Sequence, residues 1–240
     1  MEPPQDLINK YLPYLYEIRR RILFVVSILA LGSILGFIYY EKIIAWTLKL
    51  LNLQGINIVF TSPFQYFNLA ISCATAVGII FVLPVLIFQI VSFLKPALKK
   101  SEYQLALTLL PISLLLFVIG FVFGVVMMKF VIDLFFQKSV DLNIGNFLDI
   151  TQLLSNILLT SSLMGLAFQF PIVITLLVRL KVTNVHKIAS QRPYVYTAAM
   201  VFAALMPPTD IISLLLLTLP LVFLFEITLL LNQLSMFKRR

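Results

Sequence analysis

Long charge-free apolar runs, separated by short basic clusters, dominate this 240-residue chain. A helix needs about 20 apolar residues to cross roughly 30 Å of hydrocarbon, and the runs at 22–40, 67–94, 103–128 and 153–178 suit that length. The C-terminal third reads as two further, shorter spans at 193–206 and 211–231, separated by Pro207 and Pro208. Thirteen helical residues reach only about 20 Å, so the fifth span is short for a bilayer and must thin it or shelter behind its neighbours.

Six crossings return the chain to the side on which it starts, and the basic residues choose that side. Lys10 and Arg19–Arg21 precede the first span; Lys95, Lys99 and Lys100 follow the second. Arg179, Lys181, Lys187 and Arg192 lie between the fourth and fifth, and Lys238, Arg239 and Arg240 follow the sixth. These fourteen fall on one face, against Lys42, Lys49, Lys129 and Lys138 on the other. The excess of positive charge on the cytoplasmic side places both termini there. On the opposite side, 42–60 suits an interfacial helix carrying Trp46, and 133–152 suits a polar cap with Asp133, Asp141 and Asp149. The amphipathic leader 6–21 should be a helix interrupted at Pro13.

Composition agrees. The chain is 61% hydrophobic and 12% charged, against about 45–50% and roughly 25% for soluble domains, so too few charges are present to cover a water-facing surface. The reading is an all-α integral membrane protein forming one polytopic unit over 1–240. A net charge of +8 would suggest nucleic acid in a soluble protein, but here the basic residues sit between spans and no nucleic-acid partner is expected. One cysteine, Cys73, excludes an intrachain disulfide, and one histidine, His186, cannot build a multi-histidine metal site. No cofactor, metal or catalytic constellation is expected.

The residues that carry chemistry are few. Pro84, Pro111, Pro171 and Pro220 lie within spans and bend them, which favours a curved body over a parallel bundle. Gly32-x-x-x-Gly36 and Gly120-x-x-x-Gly124 allow close helix approach, within one protomer in preference to between protomers. Glu226 is an acid deep in an apolar run, available either to a partner or to a basic residue of the rim. Gln169 beside Pro171 reads as an internal hydrogen-bonding group. Glu17 and Glu102 stand out as acids on a strongly basic rim, either as local salt bridges or as a receptor for a cation. Exposed ion pairs contribute only about 0–1 kcal/mol, a weak reason to keep them.

In order along the chain, Glu17-Ile18-Arg19-Arg20-Arg21, Ser62-Pro63-Phe64, Phe93-Leu94-Lys95-Pro96-Ala97-Leu98 with Glu102, Phe170-Pro171, Arg192-Pro193-Tyr194, Asp210-x-x-Ser213, Leu219-Pro220 and Phe225-Glu226-Ile227 form a set that resembles the TatC family of the twin-arginine protein translocase. The resemblance implies a cupped hand of six helices with the last two short, in the bacterial cytoplasmic membrane or an organellar one. It implies a receptor for paired-arginine signal peptides of folded cargo, working with TatB/TatA-like single-span proteins and the proton-motive force, and self-associating within that complex. Carried over residue by residue, Glu17 and Glu102 would bind the arginine pair, while Arg19, Arg21, Phe93, Pro96 and Leu98 shape the site. Gln169, Glu226 and Ser213 would form the intramembrane polar set facing a partner. Ser62, Pro63, Pro208 and Asp210 would belong to the outer cap and turn. Guanidinium groups pair with carboxylates through a planar fork that lysine lacks, so a receptor for two arginines needs at least two carboxylates.

The chain departs from the family pattern at Gln169, where glutamate is usual, at the Pro207-Pro208-Thr209-Asp210 turn, at Leu214 and near Gln65. A secondary transporter or a structural subunit of another membrane complex remains open from the residues alone. A transporter would be expected to show related halves and midplane ionisable sites, neither of which is evident.

Overall fold

The computed structural model describes residues 5–51, 57–59, 62, 64–95, 100–142, 147–208 and 210–237. Helix α1 (Gln5–Ile38) passes through Tyr39 into α2 (Tyr40–Leu51), and the strand β1 (Asn57–Val59) follows. Helix α3 (Gln65–Leu94) and the long α4 (Lys100–Asp141) lead to β2 (Phe147–Asp149). Then come α5 (Ile150–Ala167), α6 (Phe170–Arg179), α7 (Val185–Ser190), α8 (Arg192–Ala204) and α9 (Ile211–Phe237). Among the described residues, five stretches are long and apolar enough to cross a membrane: Tyr14–Ile38, Gln65–Phe93, Leu107–Asp141, Ile150–Arg179 and Ile211–Leu234. The expected fifth span corresponds to α8, whose 13 residues give about 20 Å of helix.

Three expectations need correction. The leader is not broken at Pro13, since α1 runs unbroken through it. Proline is tolerated where the donor it lacks is one that helix ends leave unused, or where neighbours compensate. The third span does not stop near 128 but continues helically to Asp141, because Phe130, Val131, Ile132, Leu134 and Phe135 keep the apolar pattern beyond Lys129. The fourth span is two helices, not one bent helix. Of the four prolines expected within spans, Pro171 opens a new helix, whereas Pro84, Pro111 and Pro220 sit inside continuous helices.

Packing gives two planes. At the basic end, Arg21 of α1 meets Gln89 of α3, and Arg192 of α8 meets Glu226 of α9. At the far end, Gly36 of α1 lies against Ala74 and Val77 of α3, Leu158 of α5 packs with Cys73 and Ala76, and Thr160 donates to the Pro207 carbonyl at the α8–α9 turn. From Arg21 to Ile38, from Gln89 to Cys73 and from Glu226 to Asp210 the helical rise is about 24–26 Å in each case, close to a hydrocarbon core. Helices α3, α4 and α5 continue beyond the far plane. Their overhang holds Leu69, Met128, Ile150, Leu153 and Leu154 in one cluster, on which Ile44 and Leu48 of α2 rest. Above it, β1 and β2 pair in parallel, Asn57 opposite Phe147 and Val59 opposite Asp149.

The hub is the fourth span. Within Ile150–Arg179, 61% of the most apolar window is buried, against 11–28% for the other four, so its neighbours are packed around it. The two glycine pairs make internal seams. Gly32 and Gly36 meet Gly78, Phe81, Ala74 and Val77 of α3, whereas Gly120 and Gly124 meet Phe168, Met164 and Ser161 of the fourth span. Both motifs are consumed within the protomer, as the sequence favoured.

Candidate functional site

At the basic end α1 presents Glu17 and Arg21 one turn apart, on the same helix face. Arg21 donates from Nε and Nη2 to Glu17 Oε1 at 3.0 and 2.6 Å. Its Nη1 donates to Gln89 Oε1 at 2.7 Å and to the Gln89 carbonyl at 3.1 Å, while the guanidinium carbon lies 5.7 Å from the Phe93 ring centroid. The carboxylate, the amide oxygens and the aromatic face are three complementary features of one guanidinium cradle. Arg21 fills it. Both of its bonds to Glu17 use the same oxygen, so among the described residues Oε2 keeps its accepting capacity. Sequence reasoning placed Glu17, Arg21 and Phe93 here but missed Gln89. Its signal was an amide one helical turn before Phe93 in an otherwise apolar run.

Arg19 and Arg20 are exposed. Glu102 lies in the first turn of α4, where the unpaired N–H groups of the helix start favour a carboxylate. Its side chain lies outside those described, as do Pro96, Leu98 and Pro63. Its neighbour Tyr103 packs with Val91 and Leu176, and Lys95 lies 5.4 Å from the Tyr103 ring centroid. The start of α4 and the Arg21 cluster therefore both rest on the last turns of α3.

The polar residues expected to face a partner have internal bonds. Glu226 takes a two-pronged ion pair from Arg192, Nε to Oε1 at 2.8 Å and Nη2 to Oε2 at 2.9 Å, and also accepts from the Tyr196 hydroxyl. Of its two readings, pairing with the basic rim is the one realised, and it clamps α8 to α9. Gln169 is buried at the break between α5 and α6. The break leaves the Gly165 carbonyl without its helical donor, because the Gln169 N–H turns to Leu166 instead. Gln169 Nε2 donates to that carbonyl at 3.3 Å and to the Ser113 carbonyl of α4 at 3.1 Å. A side-chain amide thus repairs the backbone beside Pro171 and ties two spans. Its Oε1 is buried and has no hydrogen-bonding partner among the described residues. Asp210 caps α9, accepting from the Ser213 N–H at 2.8 Å and from its hydroxyl at 2.6 Å. The turn before it contains a cis Pro207–Pro208 bond. The Ser62 carbonyl accepts from Gln65 N–H at the entry to α3. The Gln65 side chain donates to Asp149, whose Oδ1 caps α5 through the Thr151 and Gln152 N–H groups.

Known proteins share this architecture. The family model for the Sec-independent protein translocase protein (TatC) matches residues 13–220. The chain is 31% identical over 228 residues to the Sec-independent protein translocase protein TatCy of Bacillus subtilis, covering 92% of this chain and 88% of that protein. It is 30% identical over 235 residues to TatC of Aquifex aeolicus, covering 95% and 96%, and 30% identical over 231 residues to TatC of Escherichia coli K12, covering 95% and 88%. A crystal structure of the twin arginine translocase receptor TatC in DDM superposes with a TM-score of 0.80 at 28% identity, over 91% of this chain and 98% of that one. The chain belongs to the TatC family and is a multi-pass, non-enzymatic membrane component of the Sec-independent protein translocase.

Proposed function

We propose that the basic, cytoplasmic end of this chain captures the paired arginines of a signal peptide, with Glu17 and Glu102 as the two carboxylates. The observation that carries the reading is the cradle around Arg21: Glu17, the Gln89 oxygens and the Phe93 ring already hold one guanidinium. An incoming arginine would use the open Oε2 of Glu17 or displace Arg21, and the second would pair with Glu102 at the α4 N-terminus. Arg19, Arg20, Arg21 and the lysines around 95–100 repel cations that lack the fork geometry, which disfavours loosely matched leaders. Pro96 and Leu98 would shape the wall between the two acids. The α8–α9 hairpin, with Glu226 and Ser213 engaged internally as Gln169 is in the fourth span, would dock TatB/TatA-like single-span proteins through its apolar surface rather than through free polar groups. Copies of the chain would assemble within that complex, which is driven by the proton-motive force, and Ser62, Pro63, Pro208 and Asp210 would support the outer cap and turn.

The test is capture of fluorescent peptides bearing Arg-Arg, Arg-Lys or Lys-Lys by the protein in nanodiscs. Arg-Arg should bind best, and Glu17→Gln or Glu102→Gln should weaken it by about tenfold, the loss of one charge-assisted bidentate pair. The dependence on salt should fall in parallel. Equal capture of Arg-Arg and Lys-Lys by the unaltered chain would overturn the assignment, as would unchanged capture by the Glu17→Gln, Glu102→Gln double variant.

A further inference from the structure

A cavity of about 410 Å³ opens at the far membrane plane, floored by α5 and walled by α3 and α4, with α2 leaning over it. Its origin is the two glycine seams. Gly32, Gly36 and Gly78 draw α3 onto α1, while Gly120 and Gly124 draw α4 onto the fourth span, and the gap lies between α3 and α4. Ala76 and Val77 of α3, Phe121 of α4 and Leu158 of α5 line it; Lys42 and Trp46, one turn apart on α2, stand at its edge.

The lining is almost wholly apolar, so water would find too few partners to fill it. A bilayer acyl chain is narrow, apolar and present at that depth. Two polar features then define its head. Lys42 is exposed and forms no ion pair among the described residues; its ammonium lies 5.3 Å from the Tyr39 ring centroid. Trp46 is 61% exposed beside it, where an indole suits the headgroup level.

We infer that this groove is a binding site for one anionic glycerophospholipid of the far leaflet. An acyl chain fills the groove, and the phosphate sits at Lys42. The site is separate from the signal-peptide reading and stands without it. The lipid packs α2 and the overhanging cap against the bundle.

The probe is phosphatidylglycerol carrying an acyl-chain nitroxide, in phosphatidylcholine nanodiscs holding the full chain, with equally labelled phosphatidylcholine as comparator. The expected spectrum has an immobilised component that favours phosphatidylglycerol. Lys42→Ala should lower that preference about fivefold, the effect of one lysine near a charged lipid surface. Ile80→Trp, which fills the groove from a lipid-facing position, should remove the component. Val118→Trp, on the lipid-facing side of α4 away from the groove, should leave it intact. Ile80 and Val118 are 36% and 53% exposed, so both variants should fold. An immobilised component that survives Ile80→Trp, or falls equally with Val118→Trp, would overturn the inference. So would disulfide capture of a single-span protein, in place of lipid, at a cysteine introduced at position 80.

Discussion

Replacing Gly124 by alanine tests whether the fold is set by close helix approach. A Cβ at this position would meet Ser161 Cα at 2.6 Å, about 1 Å inside ordinary contact. The obstacle is backbone, so no rotamer change can relieve it and α4 must move away from α5. Overpacking of this kind costs about 1–3 kcal/mol. Against it stands the helix preference of alanine over glycine, about 1 kcal/mol, so the net loss should be about 0–2 kcal/mol. Gly32 is the internal comparison. Its nearest obstacle is the Phe81 Cβ at 3.0 Å, and the Gly78 Cα follows at 3.1 Å, a fit that a shift of a few tenths of an ångström relieves. Gly32→Ala should therefore be neutral or slightly stabilising. Unfolding in detergent, followed by circular dichroism against temperature or added dodecyl sulfate, should rank Gly124→Ala below the parent and Gly32→Ala at or above it. The reverse order of the two variants would refute the seam argument, and so would a Gly124→Ala chain more stable than its parent.

Two further outcomes follow from named contacts. Gln169→Leu removes the donor that satisfies the Gly165 and Ser113 carbonyls, and should lower stability by about 1–3 kcal/mol in the same unfolding assay; full stability in that variant would show that the break between α5 and α6 needs no such repair. Asp210→Ala removes the cap of α9 and should cost about 1 kcal/mol, with faster hydrogen exchange confined to the first turn after 211, whereas exchange unchanged there would show that the cap is dispensable.

Gln169 offers donors that a carboxylate lacks, and it spends them on the Gly165 carbonyl freed by the break before Pro171 and on the Ser113 carbonyl of α4. A partner approaching the hairpin of α8 and α9 would thus meet an apolar surface. Glu226, also within the membrane, is neutralised by Arg192 in the same way. Both observations describe a chain that keeps its intramembrane polar groups for its own folding.

Hydropathy alone predicted the runs at 22–40, 67–94, 103–128, 153–178 and 211–231, and each overlaps one of the five long apolar stretches among the described residues, because crossing hydrocarbon requires an unbroken apolar length whatever the neighbours are. The basic clusters supplied the expected orientation, since charge placement is a property of loops and not of packing. Tertiary structure decided the remainder. It carried α4 past Lys129 to Asp141, where apolar residues find the overhanging cluster of α3 and α5, and it split the fourth span at Gln169. It also chose for Glu226, whose two readings the residues left balanced, by pairing it with Arg192, and it closed both glycine motifs as internal seams. Apart from Glu17 and Arg21, four positions apart, these contacts join distant residues, as with Glu226 and Arg192, 34 positions apart, and Arg21 and Gln89, 68 positions apart. A one-dimensional pattern records which groups need a partner; only the packed helices bring a particular one within reach.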